Sequence, residues 1–434
     1  MSAEVIDRSL THREPSSAEG RPSRRATPAT FVVVSVSAFM VSLDNLVVTT
    51  ALPQIRTSLD AGLTGLEWTV NAYTLAFGIL LLTGASLGER FGRRRVLSLG
   101  LAVFTLASAA AALAPSVEWL VAARAVQGAG GALVLPITLT MLSAAVRPER
   151  RGAALGLWGA VSGLAVALGP LVGRAVVEGL AWQWIFWVNV PIGIALLPVA
   201  ARSLPWTAGR AGRLDLVGVG LATAGLLGIL LGLVRGESAG WTSPQVVGAL
   251  AAGGGVLAAF VAWERRAPSP MLPLGMFANR AFSVANVVSL LFTFGVFGSI
   301  FLLAQFLQTV QGYSPLEAGI RTLPWTVAPL LVAPLAGPLS DRLGGRPLLA
   351  GGLALHATGL ALTASAMTTT VAYADLVPGF VLAGVGMGMV FAPLANVVLG
   401  GVQRAQEGIA SGANNAIREI GGVFGIAVLA TVFA

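Results

Sequence analysis

Long apolar stretches alternate with short polar ones along almost the whole chain. A helix crossing ~30 Å of hydrocarbon needs about 20 mostly apolar residues. Thirteen stretches meet that length, at 29–51, 66–88, 96–114, 118–142, 151–175, 183–201, 215–234, 244–263, 282–309, 320–340, 346–367, 372–397 and 410–434. Residues 1–28 break the pattern; they are polar, carry Pro, Ser and five Arg, and read as a disordered tail. They are not a signal peptide, because the first apolar stretch is full length and carries Asp44 where a cleavable segment is uniformly apolar. The pattern predicts an all-α polytopic protein seated in a lipid bilayer.

Composition sharpens this. Only 11% of the 434 residues are charged and 55% are hydrophobic, against about 25% charged in soluble domains. Cysteine is absent, which excludes a disulfide framework, a Cys-ligated zinc site and thiol catalysis. Two histidines, His12 and His356, leave little for metal or acid–base work, so neither a resident metal nor a cofactor is expected. Every one of the 27 basic residues is Arg, which points to a GC-rich bacterial gene.

The net charge of +8 raises nucleic acid as a partner, but the placement of the arginines argues against it. With the N-terminus inside, 21 of the 27 fall in the tail and in alternate loops, among them Arg90–Arg95, Arg147–Arg151, Arg265 with Arg266, and Arg342 with Arg346. Arg-rich loops stay on the cytoplasmic side. The charge therefore reads as topology, with the N-terminus cytoplasmic in a bacterial plasma membrane.

An internal repeat organises the spans. Leu87-Gly88-Glu89-Arg90-Phe91-Gly92-Arg93-Arg94 follows the second, and Leu339-Ser340-Asp341-Arg342-Leu343-Gly344-Gly345-Arg346 follows the tenth, 252 residues later. Eight spans separate the copies, an even number, so both loops fall on one side. Parallel repeats of this kind build transporters with a binding site at mid-membrane between the halves. The expected domains are the tail 1–28, a six-helix bundle 29–201, a linker with two extra membrane helices 202–281, and a second bundle 282–434 with five helices.

These residues resemble the major facilitator superfamily, specifically its fourteen-helix drug/proton antiporter branch. The likeness rests on Leu43-Asp44-Asn45-Leu46-Val47-Val48-Thr49-Thr50-Ala51-Leu52-Pro53, the loop motif at 87–94, and Arg124-Ala125-Val126-Gln127-Gly128-Ala129-Gly130. It also rests on Gly159 and Gly163 with Gly169-Pro170-Leu171-Val172-Gly173, and on the segment Trp182–Pro191. Glu89 stands where the family has Asp, and Arg174 replaces the second Gly of the fifth-helix pattern. The chain stops at Ala434, in what would be the thirteenth helix of fourteen, so the last helix is expected to be missing.

Candidate chemistry follows. Asp44 lies mid-span, where an ionised carboxylate costs at least ~2.5–3.5 kcal/mol on insertion scales. A carboxylate taken out of water takes up a proton more readily, as proton exchange requires; the resemblance implies proton handling here, and a static salt bridge is the structural alternative. Arg124 stays charged at any accessible pH, so it cannot carry the proton but can bias a nearby carboxylate, the role the resemblance implies; snorkelling to the outer surface is its alternative. Gly159 with Gly163, and Gly169 with Gly173, are spaced i,i+4 for close helix packing, and Pro170 can kink the helix. The resemblance makes this an exporter pattern.

Glu89, Arg90, Gly92 and Arg93 with Asp341, Arg342, Gly344 and Arg346 are expected to form a cytoplasmic gate by pairing across the halves, or merely to set topology. Trp68, Tyr73, Gln127, Gln305 and Asn415 are the candidate substrate contacts. Phe294, Phe297 and Phe301 share a helix face that reads as facing lipid or a neighbour. His356 reads as a hydrogen-bonded packing residue. Arg418 and Glu419 are adjacent, hence on different faces, and the scarcity of embedded acids in the second half argues against a divalent organic cation as cargo.

The expected function is a monomeric, proton-coupled antiporter that exports an amphipathic drug or antibiotic and is not an enzyme. No Gly-x4-Gly-Lys-Ser/Thr is present to bind ATP. An exporter or importer of another small metabolite, or an inactive truncated transporter, is the alternative. A polytopic membrane enzyme would need clustered catalytic residues that the longest loops, 202–214 and 264–281, do not offer.

Overall fold

The computed structural model describes residues 28–147, 179–206, 209, 215–403 and 406–433, with 154, 155, 157–159, 161, 164, 165, 169, 173 and 176. The expected tail, except Pro28, together with Gly163, Pro170, 207–208, 210–214 and Arg404, lies outside the described residues. Every regular element described is helical. The first half holds α1 (Pro28–Ser58), α2 (Leu63–Phe91), α3 (Arg93–Ala112), α4 (Val117–Ala145), the short α5 (Trp184–Trp187) and α6 (Asn189–Ser203). An added hairpin follows, α7 (Leu216–Ala239) and α8 (Pro244–Glu264). The second half holds α9 (Arg280–Gln305), α10 (Pro315–Arg321), α11 (Leu323–Leu343), α12 (Gly345–Ala366), α13 (Tyr373–Gly400) and α14 (Glu407–Phe433).

Ten candidate spans among the described residues are long and apolar enough to cross a membrane, and α1 makes eleven when its two parts, bent by 43°, count as one. Of the other two expected spans, 151–175 is described only at scattered helical positions, and 410–434 is α14, which carries Glu407, Arg418 and Glu419. Helices run past the expected apolar limits at both ends: 66–88 becomes Leu63–Phe91, and 118–142 becomes Val117–Ala145. Hydropathy marks only what sits in hydrocarbon, whereas the backbone stays helical until a cap or a turn stops it. Ser116, Asp215, Ser243 and Asn279 supply such caps to α4, α7, α8 and α9, and Ser314 with Glu317 forms a capping box on α10.

The repeat in the sequence recurs in the backbone. Gly92 between α2 and α3 has φ +94°, and Gly344 between α11 and α12 has φ +88°, a left-handed conformation that side chains resist. The same 252-residue offset relates Gly100 to Gly352. A β-carbon at Gly100 would lie 3.0 Å from the Gly130 carbonyl, and one at Gly352 would lie 3.0 Å from that of Gly386, so α3 packs on α4 as α12 packs on α13. The α7–α8 hairpin closes on itself through Gly225, Gly228 and Gly253. Leu230 of α7 touches α2 at Gly78, and α7 also meets α14, so the hairpin borders the seam between the halves.

Candidate functional site

A charge network lies sealed inside the first half. Asp44, midway along α1, is 3% exposed, and Arg124, seven residues into α4, is fully buried. Arg124 Nη1 donates to Asp44 Oδ2 and, at 2.6 Å, to Gln127 Oε1, while Nε donates to the Thr69 carbonyl at 3.2 Å. Gln127 follows Arg124 by three residues and so shares its face. Its amide donates to Asp44 Oδ1 at 2.8 Å and to Ser108 Oγ at 2.7 Å. Asn189, the first residue of α6, donates to Asp44 Oδ1 at 2.7 Å.

Three side chains from two helices thus converge on one carboxylate. The Arg124 guanidinium lies 4.2 Å from the Tyr73 ring centre and 5.7 Å from that of Phe186, both faces favourable to a cation. The Tyr73 hydroxyl donates to the Val41 carbonyl at 3.1 Å. Arg124 Nη2 has no hydrogen-bond partner among the described residues. Arg124 therefore points into the bundle and not to the outer surface. Removing either partner of a buried ion pair held this way leaves the other charge uncompensated in low-dielectric surroundings.

The helix ends that carry Arg90–Arg95 form a second locus. Glu89 Oε1 and Arg93 Nε pair at 2.8 Å within the motif. The Glu89 carboxylate also lies against Gly408, in the first turn of α14, where the helix N-terminus favours an anion. Nearby, Ser143 of α4 donates to Glu407 at 3.4 Å, Ser411 donates to the Pro136 carbonyl at 3.2 Å, and Gly412 sits against Ala85 and Leu81. The first turns of α14 are therefore closed onto α2 and α4 of the other half. Arg342 and Arg346 are exposed, and the side chain of Asp341 lies outside the described residues. Gly344 and Arg346 line a groove of about 530 Å³ with Asn279 and Gly401.

The fifth-helix glycines are described in part. Gly159 faces Phe391 Cβ at 3.7 Å from its missing β-carbon, and Gly173 approaches the Val47 carbonyl and Thr50 of α1. Gly169 is buried.

The five candidate substrate contacts do not gather. Tyr73 and Gln127 belong to the Arg124 network and are buried; Trp68 packs under Arg235 of α7; Gln305 ends α9; Asn415, on α14, reaches Ser411 Oγ at 3.5 Å. Phe294 meets Phe424, and Phe297 faces Gly422, so that stripe packs on α14. His356 Nδ1 lies 2.8 Å from the Ala383 carbonyl, with its ring beside Phe292 and Trp325.

Sequence reasoning gave no part to Asn189, Ser108, Thr69, Glu407 or Ser411. Asn189 had the clearest signal, an amide inside the apolar run that opens α6. The others are polar residues whose partners lie up to 275 positions away.

Membrane-length helices whose close crossings and left-handed glycines recur half a chain apart define a polytopic membrane protein built on an internal repeat. The Major Facilitator Superfamily profile matches residues 34–213 and 206–426, and the chain belongs to that superfamily. It is 41% identical over 433 residues to the cephamycin export protein CmcT of Amycolatopsis lactamdurans, spanning 98% of this chain and 88% of the relative. It is 34% identical over 432 residues to the tetracenomycin C resistance and export protein of Streptomyces glaucescens, spanning 98% and 80%. The human organic anion transporter MFSD10 shares the fold with a TM-score of 0.67 at 16% identity, over 94% of both chains.

Proposed function

We propose that the chain exports an amphipathic antibiotic or drug across a bacterial plasma membrane in exchange for protons. Nearly full-length similarity to relatives named as export proteins carries the export reading. Proton coupling rests on Asp44, an embedded carboxylate whose protonation would release Arg124, Gln127 and Asn189 together. That release would loosen α1 from α4 and α6 and let the halves rock about a site between them.

The Arg-rich helix ends are assigned to the cytoplasm with the N-terminus. On that assignment Glu89, Arg90, Gly92 and Arg93, with Asp341, Arg342, Gly344 and Arg346, form the cytoplasmic gate, and the contacts of α14 with α2 and α4 are its closed state. Gly159, Gly163, Gly169, Pro170 and Gly173 are proposed to let the fifth helix pack closely. Trp68, Tyr73, Gln127, Gln305 and Asn415 are proposed to meet cargo as the halves move. Counting 151–175 and α14 gives thirteen spans, in bundles at 29–201 and 282–434 flanking the 202–281 linker. One chain contains both halves of the path, so the proposed working unit is a monomer.

The test is drug tolerance in a bacterial host deleted for its own pumps. The wild-type chain should raise tolerance to at least one amphipathic antibiotic or dye, and Asp44→Asn at a matched membrane level should abolish it. Undiminished tolerance with Asp44→Asn would remove Asp44 from coupling.

A further inference from the structure

Four charged residues lie deep in the described long helices: Asp44, Arg124, Arg418 and Glu419. The first two neutralise each other. The other two have no ion pair among the described residues. Arg418 stands eleven residues into α14, about 16 Å from its start at 1.5 Å per residue, near the middle of a ~30 Å core. Leaving two charges unpaired at that depth is costly, and embedded charges usually mark a transport path.

Their directions follow from the packing of α14. Gly408 and Gly412 face α2, at Glu89 and at Ala85 with Leu81. Glu419 is seven residues beyond Gly412, two helical turns, and so lies on that same face. Running antiparallel to α2, which meets Gly408 at Glu89 and Gly412 at Ala85, it reaches the level of Tyr73. Arg418 projects about 100° away, its guanidinium 5.4 Å from the Phe391 ring centre on α13. Phe391 in turn meets the fifth helix at Gly159.

Glu419 therefore faces α2 and Arg418 faces α13. Both side chains are partly exposed in the folded chain. The charged groups facing them are few. Glu419 has Arg418 beside it and Arg124, already paired with Asp44, behind Tyr73. By sequence, residues 154–173 of the fifth helix, 216–234 of α7, 281–305 of α9 and 376–400 of α13 carry no charge.

We propose that Arg418 and Glu419 form a two-point subsite for an amphoteric cargo, the guanidinium taking its acidic group and the carboxylate its protonated amine, with Phe391 as an apolar wall beside the guanidinium. A molecule with both charges satisfies both residues. A simple anion or cation leaves one of them unpaired in low-dielectric surroundings, and this asymmetry is the source of selectivity. The inference rests on the transporter reading but not on proton coupling.

Ampicillin and benzylpenicillin provide the test, since both bear the carboxylate and only ampicillin adds an amine. Their binding to purified full-length protein is measured by calorimetry at one pH, with no gradient, and the thermal midpoint of each variant checks its folding. The wild type should bind ampicillin at least about tenfold tighter, the scale of one charged hydrogen bond. Glu419→Gln should bring the ratio close to one, Glu419→Asp should retain the preference, and Arg418→Gln should weaken both ligands. Equal binding of the two by the wild type, or a preference that survives in Glu419→Gln, would overturn the proposal. Loss of proton-driven export with the preference intact would instead sink the coupling reading alone.

Discussion

The Asp44 carboxylate is bound to more donors than a structural ion pair needs, and this defines what its removal does. Arg124, Gln127 and Asn189 all donate to it, and Arg124 is fully buried. Asp44→Asn leaves that guanidinium without its counter-charge, a loss of about 3–5 kcal/mol by analogy with broken buried pairs. The double variant Asp44→Asn with Arg124→Gln removes both charges and should recover part of the loss. Thermal unfolding of the four proteins gives the coupling directly, and additive effects would show that the two residues do not support each other. Asp44 and Arg124 were legible in the sequence because a lone charge in an apolar span demands a reason. Gln127 was named as a candidate cargo contact, and its bonds to Arg124 and Asp44 were not read from the sequence. Asn189, Ser108 and Thr69 were not, since uncharged polar residues are common in spans and only packing selects their partners. Glu419 was visible as a charge, but adjacency to Arg418 left its direction open until the contacts of α14 supplied it.

Among the elements, α14 bridges the halves. Its first turns rest on α2 and α4 through Glu89, Ser143 and the Pro136 carbonyl, with Gly412 so close to Ala85 that a larger side chain would force the helices apart. Gly412→Leu should therefore disfavour the state closed at the Arg-rich end. The chain has no cysteine of its own, so a single Ser143→Cys reports cleanly. It should resist maleimide in the otherwise unaltered chain, where position 143 is 1% exposed, and react once Gly412→Leu is added. Equal labelling of both would show that the contact does not hold the gate. The loop motif was read as pairing across the halves and did not single out the local Glu89–Arg93 pair, nor the neighbour of Glu89 on α14, because the meeting of residues more than 300 positions apart is a property of the assembled helices. Helix limits were missed by a few residues for a similar reason: caps, not hydropathy, end them.

Over the whole molecule the 252-residue offset is the most informative feature of the chain. It relates two loops in the sequence, and in the fold it relates two left-handed glycines and the glycines Gly100 and Gly352, each of which sits at a close helix crossing, on Gly130 and on Gly386. The repeat and the all-helical membrane fold were therefore readable without coordinates. The position of the α7–α8 hairpin against α2 and α14 was not, because its sequence is uniformly apolar and names no neighbour. A path between rocking halves, driven by a proton at Asp44, predicts one coupled flux. Purified protein in liposomes with an acidic interior should accumulate a compound to which the chain confers tolerance while protons leave. Accumulation should stop when a protonophore collapses the gradient, and Asp44→Asn should accumulate none above protein-free liposomes. Equal accumulation with and without the gradient, or undiminished accumulation by Asp44→Asn, would contradict proton-coupled export through this residue.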